Sequence, residues 1–366
     1  MRLLLIANAN IVFGKELQNE LDVKGHDTYL LDFESLELRY KGEVDTCVSE
    51  KFSPYRKLPK VHMLFRMYFI NQFLNSERFD VVNIHYSRWV YLFSLRALAK
   101  SRFVITFYGS DFYRASDGIK NLQKKIYERA DSLSFTNALT KDAFIKYFQT
   151  FEEKSVVCRF GLKTLDYIDK NRDKTKPEIR SVLGYAQDKV IVTCGYNATQ
   201  GQQHIQMIDA LKKIDVKTLE KIQFIFPMTY GDMFYKEQVQ SMLDKSNLNY
   251  MMLEKYLYED DNAYVKLASD IMINILETDS FSGSMQEFLY AENYVITGSW
   301  LPYELFDKEG VVYAKVDSID ELGRALDVAL ERYQDKKVLQ HNRDVIFKLS
   351  HWKNNINSWM QMYEKN

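Results

Sequence analysis

The stretch Asp279-Ser-Phe-Ser-Gly-Ser-Met-Gln-Glu287 joins two apolar runs, SDIMINIL before it and FLYAENYVITG after it. A strand that passes to a helix through Ser282, Gly283 and Ser284 gathers backbone N–H groups and hydroxyls at the helix start, where the peptide dipoles favour an anion. A diphosphate that must leave carrying negative charge suits such a turn. Glu287 lies one turn inside the helix on the same side and can accept both protons of a vicinal diol such as ribose. Asp279 stands before the turn, near whatever the far phosphate carries. A phosphate, a diol and a hydroxyl-rich group in a row describe a nucleotide sugar.

Further candidates sit where other strands end. FYGSDFYR places Tyr108, Ser110 and Asp111 at a strand's carboxyl end. There Asp111 either has a functional role, since a carboxylate at that rim has no core to stabilise, or caps the next turn. His85, closing DVVNIHY, either joins them or packs. In VTCGYNATQGQQHIQMIDAL, Gly195 turns the chain off its strand, Asn197 lines the loop, and His204 either donates to a phosphate or covers the helix end. FPMTYGD gives another strand-end loop with Tyr230, and LEKYLYEDDNAY places Lys255 and Tyr256 in the next. Gly14 ends NANIVFG as a phosphate contact or a tight turn. No G-x-G-x-x-G accompanies it, which argues against a dehydrogenase. Asp260 and Asp261 read as a helix cap, so no metal is expected.

Elements that could hold these loops recur along the chain. RLLLIAN, DTYLLDF, FDVVNIHY, RFVITFYG, DSLSFTN and KSVVCRF form a first series of strands, mostly followed by helical periodicity. A second series comprises DKVIVTCGY, IQFIFPMTYG, YMMLEKYL, SDIMINIL and NYVITG. This alternation predicts α/β architecture with mainly parallel sheets in two doubly wound domains. Ligands of such sheets bind beyond the carboxyl ends of the strands, so the strand-end loops of the two domains would face each other across a cleft. The polar stretch DYIDKNRDKTKPEIRSVLGYAQD reads as the interdomain link. In the tail, Trp352, Ile356, Trp359, Met360 and Tyr363 share one helical stripe, which predicts a docking helix. The expected divisions are 1–165, 166–345 and a crossing helix at 346–366.

With 366 residues and 46% hydrophobic side chains, the chain has the material for two cores. Its three cysteines, Cys47, Cys158 and Cys194, are widely spaced and indicate neither a disulfide framework nor a zinc site. A cytosolic setting fits them. The first apolar run is too short for a signal peptide, and VHMLFRMYFI is interrupted by Arg66 and too short to span a membrane. The net charge of −1 conceals a basic region: residues 51–129 hold 15 basic and 5 acidic side chains. Within it SPYRKLPKVHMLFRMYFINQFL mixes cations with large apolar residues, as a surface for anionic lipid would, or as an ordinary amphipathic helix with a solvated basic face. No nucleic-acid motif accompanies the charge.

These residues resemble the GT-B-fold glycosyltransferases. In that family an acid, seven residues and a Glu surround a GFG-like turn; here Asp279-x7-Glu287 encloses Phe281-Ser282, and FLYAENYVIT follows in place of the family's helix and strand. FYGSD is similar to the family's HGSD loop, CRFGL to its segment before the linker, and SHWKNNINSWMQMY to its closing helix. There are departures: Tyr196 and Gln202 stand where the family often has Arg and Lys, and Tyr108 replaces the usual His. With those cations missing, Lys255 and the helix N–H groups would carry more of the diphosphate's charge. GYNATQGQQHI, FPMTYGDMFYKEQV, LEKYL and YGSDFY also resemble the 4-acetamido-4,6-dideoxygalactose transferases of enterobacterial common antigen synthesis.

The resemblance implies two Rossmann-like domains, with the final helix packing back on the first. It also implies a glycosyltransferase that uses a UDP-, GDP- or dTDP-sugar without a metal or other cofactor, retains anomeric configuration and serves surface polysaccharide synthesis. Its acceptor would be a saccharide, with or without a link to polyprenyl diphosphate, reached at the cytoplasmic membrane face. Asp111 and Asp279 would be catalytic. Gly14, Gly195, Asn197, His204, Tyr230, Lys255, Tyr256, Ser282, Gly283, Ser284 and Glu287 would hold the donor, and His85, Tyr108 and Ser110 the acceptor. Two other readings use the same fold: a nucleotide-sugar epimerase and a non-catalytic nucleotide-binding protein.

Overall fold

The computed structural model describes residues 1–8, 12–58, 61–279 and 281–364. They form two compact units, residues 1–161 with 352–366 and residues 162–351.

The first unit is built on an eight-stranded sheet of β1 (Arg2–Ala7), β2 (Asp27–Asp32), β3 (Leu38–Tyr40), β4 (Glu43–Asp45), β5 (Val81–His85), β6 (Arg102–Phe107), β7 (Ser132–Phe135) and β8 (Ser155–Val157), in the order β4-β3-β2-β1-β5-β6-β7-β8. All pairs from β2 to β8 are parallel; β2-β3 and β3-β4 are antiparallel. Parallel strands covered on both faces read as continuous apolar runs, which is why β1 is RLLLIA and buried from Leu3 onward. The chain leaves β1 toward β2 and later continues from β5 in the opposite direction, so its switch point lies between β1 and β5. The short β3 and β4 hairpin escaped the sequence reading because three-residue strands carry too little periodicity.

The closing helix Trp352–Glu364 belongs to this unit. Trp352, Ile356, Trp359, Met362 and Tyr363 are buried in the cluster that contains Leu3, Leu5, Leu17 and Leu21. Met362 takes the place in the stripe expected for Met360, which is only half-buried. Polar bonds fix its register. Tyr363 Oη accepts from Asn83 Nδ2 at 2.7 Å, Trp359 Nε1 donates to the Arg159 carbonyl at 2.9 Å, and Asn355 Nδ2 donates to the Phe160 carbonyl at 2.9 Å.

In the second unit, β9 (Val190–Cys194), β10 (Ile222–Pro227), β11 (Tyr250–Leu253), β12 (Ile271–Asn274), β13 (Tyr294–Gly298) and β14 (Ala314–Val316) form a parallel sheet in the order β11-β10-β9-β12-β13-β14. The order reverses between β9 and β12, the place where open α/β sheets receive ligands. Helices cover both faces, giving two clusters of buried apolar side chains, one around Phe224, Met207 and Leu326, the other around Met272, Leu289 and Phe288.

The stretch expected to link the domains is instead part of this unit. It folds into helices Thr164–Lys170 and Lys176–Leu183, which bury Leu165, Ile168 and Ile179. Thr175 and Glu178 form a reciprocal capping box at the second helix start. Arg180 is buried there, donating through Nη2 to Asp270 Oδ2 at 2.5 Å and through Nε to the Ala268 carbonyl at 3.0 Å. A charged composition therefore concealed a packed face whose cation is paired inside. The tail divides too, at His351 between helices Lys336–Ser350 and Trp352–Glu364, and the first of these stays with the second unit.

Candidate active site

Three strand ends of the second unit surround a cavity of about 220 Å³, lined in part by Tyr196, Tyr230, Tyr256, Lys266, Ser284 and Glu287. Tyr196 follows β9, Tyr230 follows β10 and Tyr256 follows β11; helix Gly283–Tyr290 contributes Ser284 and Glu287, and helix Glu259–Ala268 contributes Lys266.

The helix start takes its shape from Ser282, which is buried and accepts from the Met285 N–H at 3.1 Å. That cap consumes its hydroxyl and leaves the N–H groups of Gly283 and Ser284 outside the helix's own ladder. Ser284 Oγ is buried without a hydrogen-bond partner and lies on the cavity wall. One turn on, Glu287 Oε2 lies 3.2 Å from Lys266 Nζ, and Lys266 also donates to Asn262 Oδ1. Burial lowers the Lys266 pKa, and the Glu287 carboxylate opposes that shift.

Asp279 is not on the cavity wall. It accepts from Tyr303 Oη, which in turn accepts from Asn274 Nδ2 at 3.0 Å. Burial, then the Asp279 charge, pushes the Tyr303 phenol far up and the neighbouring Tyr196 phenol to about 12.

Two glycines permit the loop packing. Gly195 has φ +65°, and a Cβ there would fall 2.6 Å from His204 Nε2. Gly231 has φ +129°, and a Cβ would fall 2.3 Å from the Ala198 carbonyl oxygen, where the loops after β9 and β10 meet in a parallel bridge. The same contact brings Asn197 Nδ2 to 3.3 Å from Tyr230 Oη.

Several expected donor residues lie elsewhere. His204 is fully buried behind Gly195, with its pKa lowered to about 4 by burial, so it is a neutral packing group and not a charged phosphate donor. Lys255 is exposed and off the cavity wall, whereas the cavity's lysine is Lys266. Gly14 sits inside helix Val12–Val23 in the first unit, where a Cβ would meet Ala7 Cβ at 3.3 Å; it serves helix-to-sheet packing. Lys266 and Asn262 line the cavity although the sequence singles out neither, and Tyr196, noted there for standing in the place of a cation, lines it too. The available signal was Asn262 and Lys266 four residues apart in a helix that otherwise buries Ala263, Val265, Leu267 and Ala268.

In the first unit, Asp111 is 4% exposed. Its Oδ1 accepts from the Tyr108 and Gly109 N–H groups at 3.1 and 3.0 Å, and its Oδ2 from the Ser87 N–H at 2.9 Å. Burial raises its pKa to about 6 against the pull of these donors. His85 Nδ1 is 3.0 Å from Tyr108 Oη, and its ring is parallel to that of Trp359 at 6.1 Å between centroids. Burial lowers its pKa to about 3, so it is neutral. Ser110 opens the short helix Ser110–Tyr113 beside them.

The basic region divides. Arg66 is buried against Phe33 and Phe52 and pairs with Glu34 at 2.9 Å, so it is not a surface cation. On helix His62–Ser76, Leu64 and Tyr68 are exposed, and Asn71 Nδ2 donates to the Phe93 carbonyl at 2.9 Å, placing exposed Phe93 and its ring neighbour Trp89 alongside. Arg56 and Lys57 are exposed.

Comparison with solved structures gives the architecture a name. A glycosyltransferase from Rickettsia africae ESF-5 superposes with a TM-score of 0.77 at 15% identity, covering 100% of this chain and 98% of that one. Sucrose-phosphate synthase from Thermosynechococcus elongatus gives 0.72 at 11%, covering 100% and 99%, and Anabaena HepE in complex with UDP gives 0.71 at 12%, covering all of both chains. The fold is GT-B. Residues 2–140 match the sequence profile of the family described as Glycosyl transferase 4-like. No curated protein matches the chain, so the resemblance to the 4-acetamido-4,6-dideoxygalactose transferases gains no support. Among the described residues, no group of three or more His, Cys, Asp or Glu is placed to hold a metal ion, and no helix is long and apolar enough to cross a membrane.

Proposed function

We propose that this protein is a glycosyltransferase that moves a sugar from a nucleoside diphosphate to a hydroxyl of a saccharide acceptor. The observation that carries the reading is the cavity at the carboxyl ends of β9, β10 and β11. A capped helix start, an unpartnered serine hydroxyl, a carboxylate and two tyrosine rings converge there on one small volume. The N–H groups of Gly283 and Ser284 and the Ser284 hydroxyl receive the diphosphate, Glu287 receives the pentose, and Tyr230 and Tyr256 receive the base. The match of residues 2–140 to a glycosyltransferase profile, and the likeness to HepE structures holding UDP and UDP-glucose, support the assignment.

Asp279, held by Tyr303, meets the transferred sugar. Asp111, with both oxygens taken by backbone N–H groups, orients the loops that present Tyr108, Ser110 and His85 to the acceptor. A carboxylate so engaged is a poor base for inverting displacement, which favours retention of configuration. The acceptor is lipid-linked and the protein works at a cytoplasmic membrane face in surface glycan synthesis. Exposed Leu64, Tyr68, Trp89 and Phe93, with exposed Arg56 and Lys57 in the same unit, support this, since apolar insertion and attraction to anionic headgroups act together.

The experiment is a thermal-shift screen of the full chain against UDP, GDP and dTDP and their sugars, followed by nucleotide release with and without lipid extract. A shift with one nucleotide family and acceptor-dependent release are expected. No shift with any of them would remove the donor-site assignment. Conversion of the free nucleotide sugar without an acceptor would make the protein an epimerase.

A further inference from the structure

β14 closes one edge of the second sheet, the edge opposite β11, and a cavity of about 440 Å³ lies beside it. Residues 313–317 form one wall and helix Leu322–Arg332 another. The Val316 carbonyl accepts from the Ser299 N–H, just past β13, at 2.9 Å. Successive residues of a strand turn their polar groups to opposite sides, so the N–H and C=O of Lys315 face away from β13, along the open edge.

On the helix, Arg324, Val328 and Arg332 follow one another at four-residue spacing and all line the cavity. Both arginines are exposed, and Val328 is 38% exposed. The acids nearby are engaged within the fold. Asp307 accepts from Tyr313 Oη and Lys315 Nζ, Asp317 from Ser299 Oγ, and Glu321 from the Asp317 N–H, at 2.6–2.8 Å. Arg332 lies against the Tyr294 phenol, and among the described residues neither it nor Arg324 pairs with a carboxylate. The charge left open to a ligand is therefore cationic.

The row from Arg324 to Arg332 spans about 12 Å, eight residues at about 1.5 Å each. In an extended chain alternate side chains share a face, and residues i and i+4 lie about 13 Å apart. An acid, an apolar residue and an acid at i, i+2 and i+4 would thus meet the two guanidiniums and Val328 between them, while their backbone pairs with Lys315. We propose that β14 receives an acidic, extended segment of a partner protein as a seventh strand of this sheet, with its acid-x-apolar-x-acid pattern read by the helix. A second copy of this chain fits poorly, because antiparallel pairing of β14 about its middle residue sets one Lys315 opposite the other.

The test measures binding of labelled seven-residue peptides to the full chain by fluorescence polarisation. The probe is polythreonine with Glu at its second and sixth positions and Val at its fourth; one control has Lys for both Glu, another has the two Glu adjacent. A dissociation constant below about 1 mM is expected for the probe, with both controls weaker by about tenfold and a similar loss in Arg324→Glu. Bound probe should slow hydrogen exchange at residues 313–317, and N-methylation of the probe should abolish binding at alternate positions only, which charge attraction by itself would not produce. No binding, equal affinity for either control, an unchanged affinity in Arg324→Glu or unchanged exchange at 313–317 would overturn the inference. So would a dimer in sedimentation velocity that protects residues 313–317 without peptide.

Discussion

Asp111 and Glu287 are both largely buried carboxylates near the carboxyl end of a parallel sheet, one in each unit, yet they are stabilised by opposite means. Asp111 has three backbone N–H donors and no cation, and its pKa rises to about 6. Glu287 has a buried ammonium as partner and a cavity beside it. The difference teaches what each is for. Neutral dipoles drawn from two loops fix those loops to each other, whereas an ion pair on a cavity wall keeps part of its hydrogen-bonding capacity for a ligand.

The sharpest way to break the comparison is Glu287→Ala. It strands Lys266 without its counter-ion and should cost about 3 kcal/mol of stability, together with nucleotide binding and transfer. Denaturant titration and calorimetry measure both. Asp279→Ala is its companion, expected to reduce transfer by about a hundredfold while nucleotide affinity stays within about threefold. Equal, small effects of the two changes would return the segment to being a capped helix start.

Asp111→Asn comes next. Its amide nitrogen cannot accept the N–H bonds it would face, so a loss of about 1–2 kcal/mol is expected, with transfer reduced and nucleotide affinity unchanged. A change in nucleotide affinity as large as that of Glu287→Ala would erase the division between the two carboxylates.

Acid distinguishes the units more gently. His85 and His204 are neutral in the fold, with pKa values lowered to about 3 and about 4, so unfolding takes up protons below about pH 6.5 and stability falls as pH drops toward 4. Asp111 acts in the other direction: the folded state protonates it below about pH 6 and the unfolded state only below about 4, so its protonation adds stability across the same range. In the first unit the two effects oppose each other. In the second, no such counterweight to His204 is found among the described residues, so proteolysis at pH 5 mapped by mass spectrometry should cut residues 162–351 before 1–161. His204→Asn should delay that cutting.

The smallest effects belong to residues whose promise lay in type alone. Gly14→Ala should change stability by less than about 1 kcal/mol, helix propensity offsetting the close approach to Ala7. Lys255→Ala should leave nucleotide affinity within about twofold, since the side chain is exposed and off the cavity wall. A large loss from either would move the donor site.

The sequence by itself determined most of the strands, the doubly wound class and the helix that opens at Ser282. Each depends on local periodicity and on residues within a few positions of one another. It also determined that the closing helix docks, because its stripe of Trp352, Ile356, Trp359 and Tyr363 had to be buried. Only the tertiary structure decided which polar residues meet. Lys266 and Glu287 lie on different helices, Tyr303 reaches Asp279 from beyond β13, and His204 turned inward behind Gly195 when side-chain type alone left it two roles. Charge misled for the same reason. Arg66 and Arg180 look like surface cations in the sequence and are buried because Glu34 and Asp270 are there to neutralise them. The energy of a buried charge is set by partners distant in sequence, and no local pattern records them.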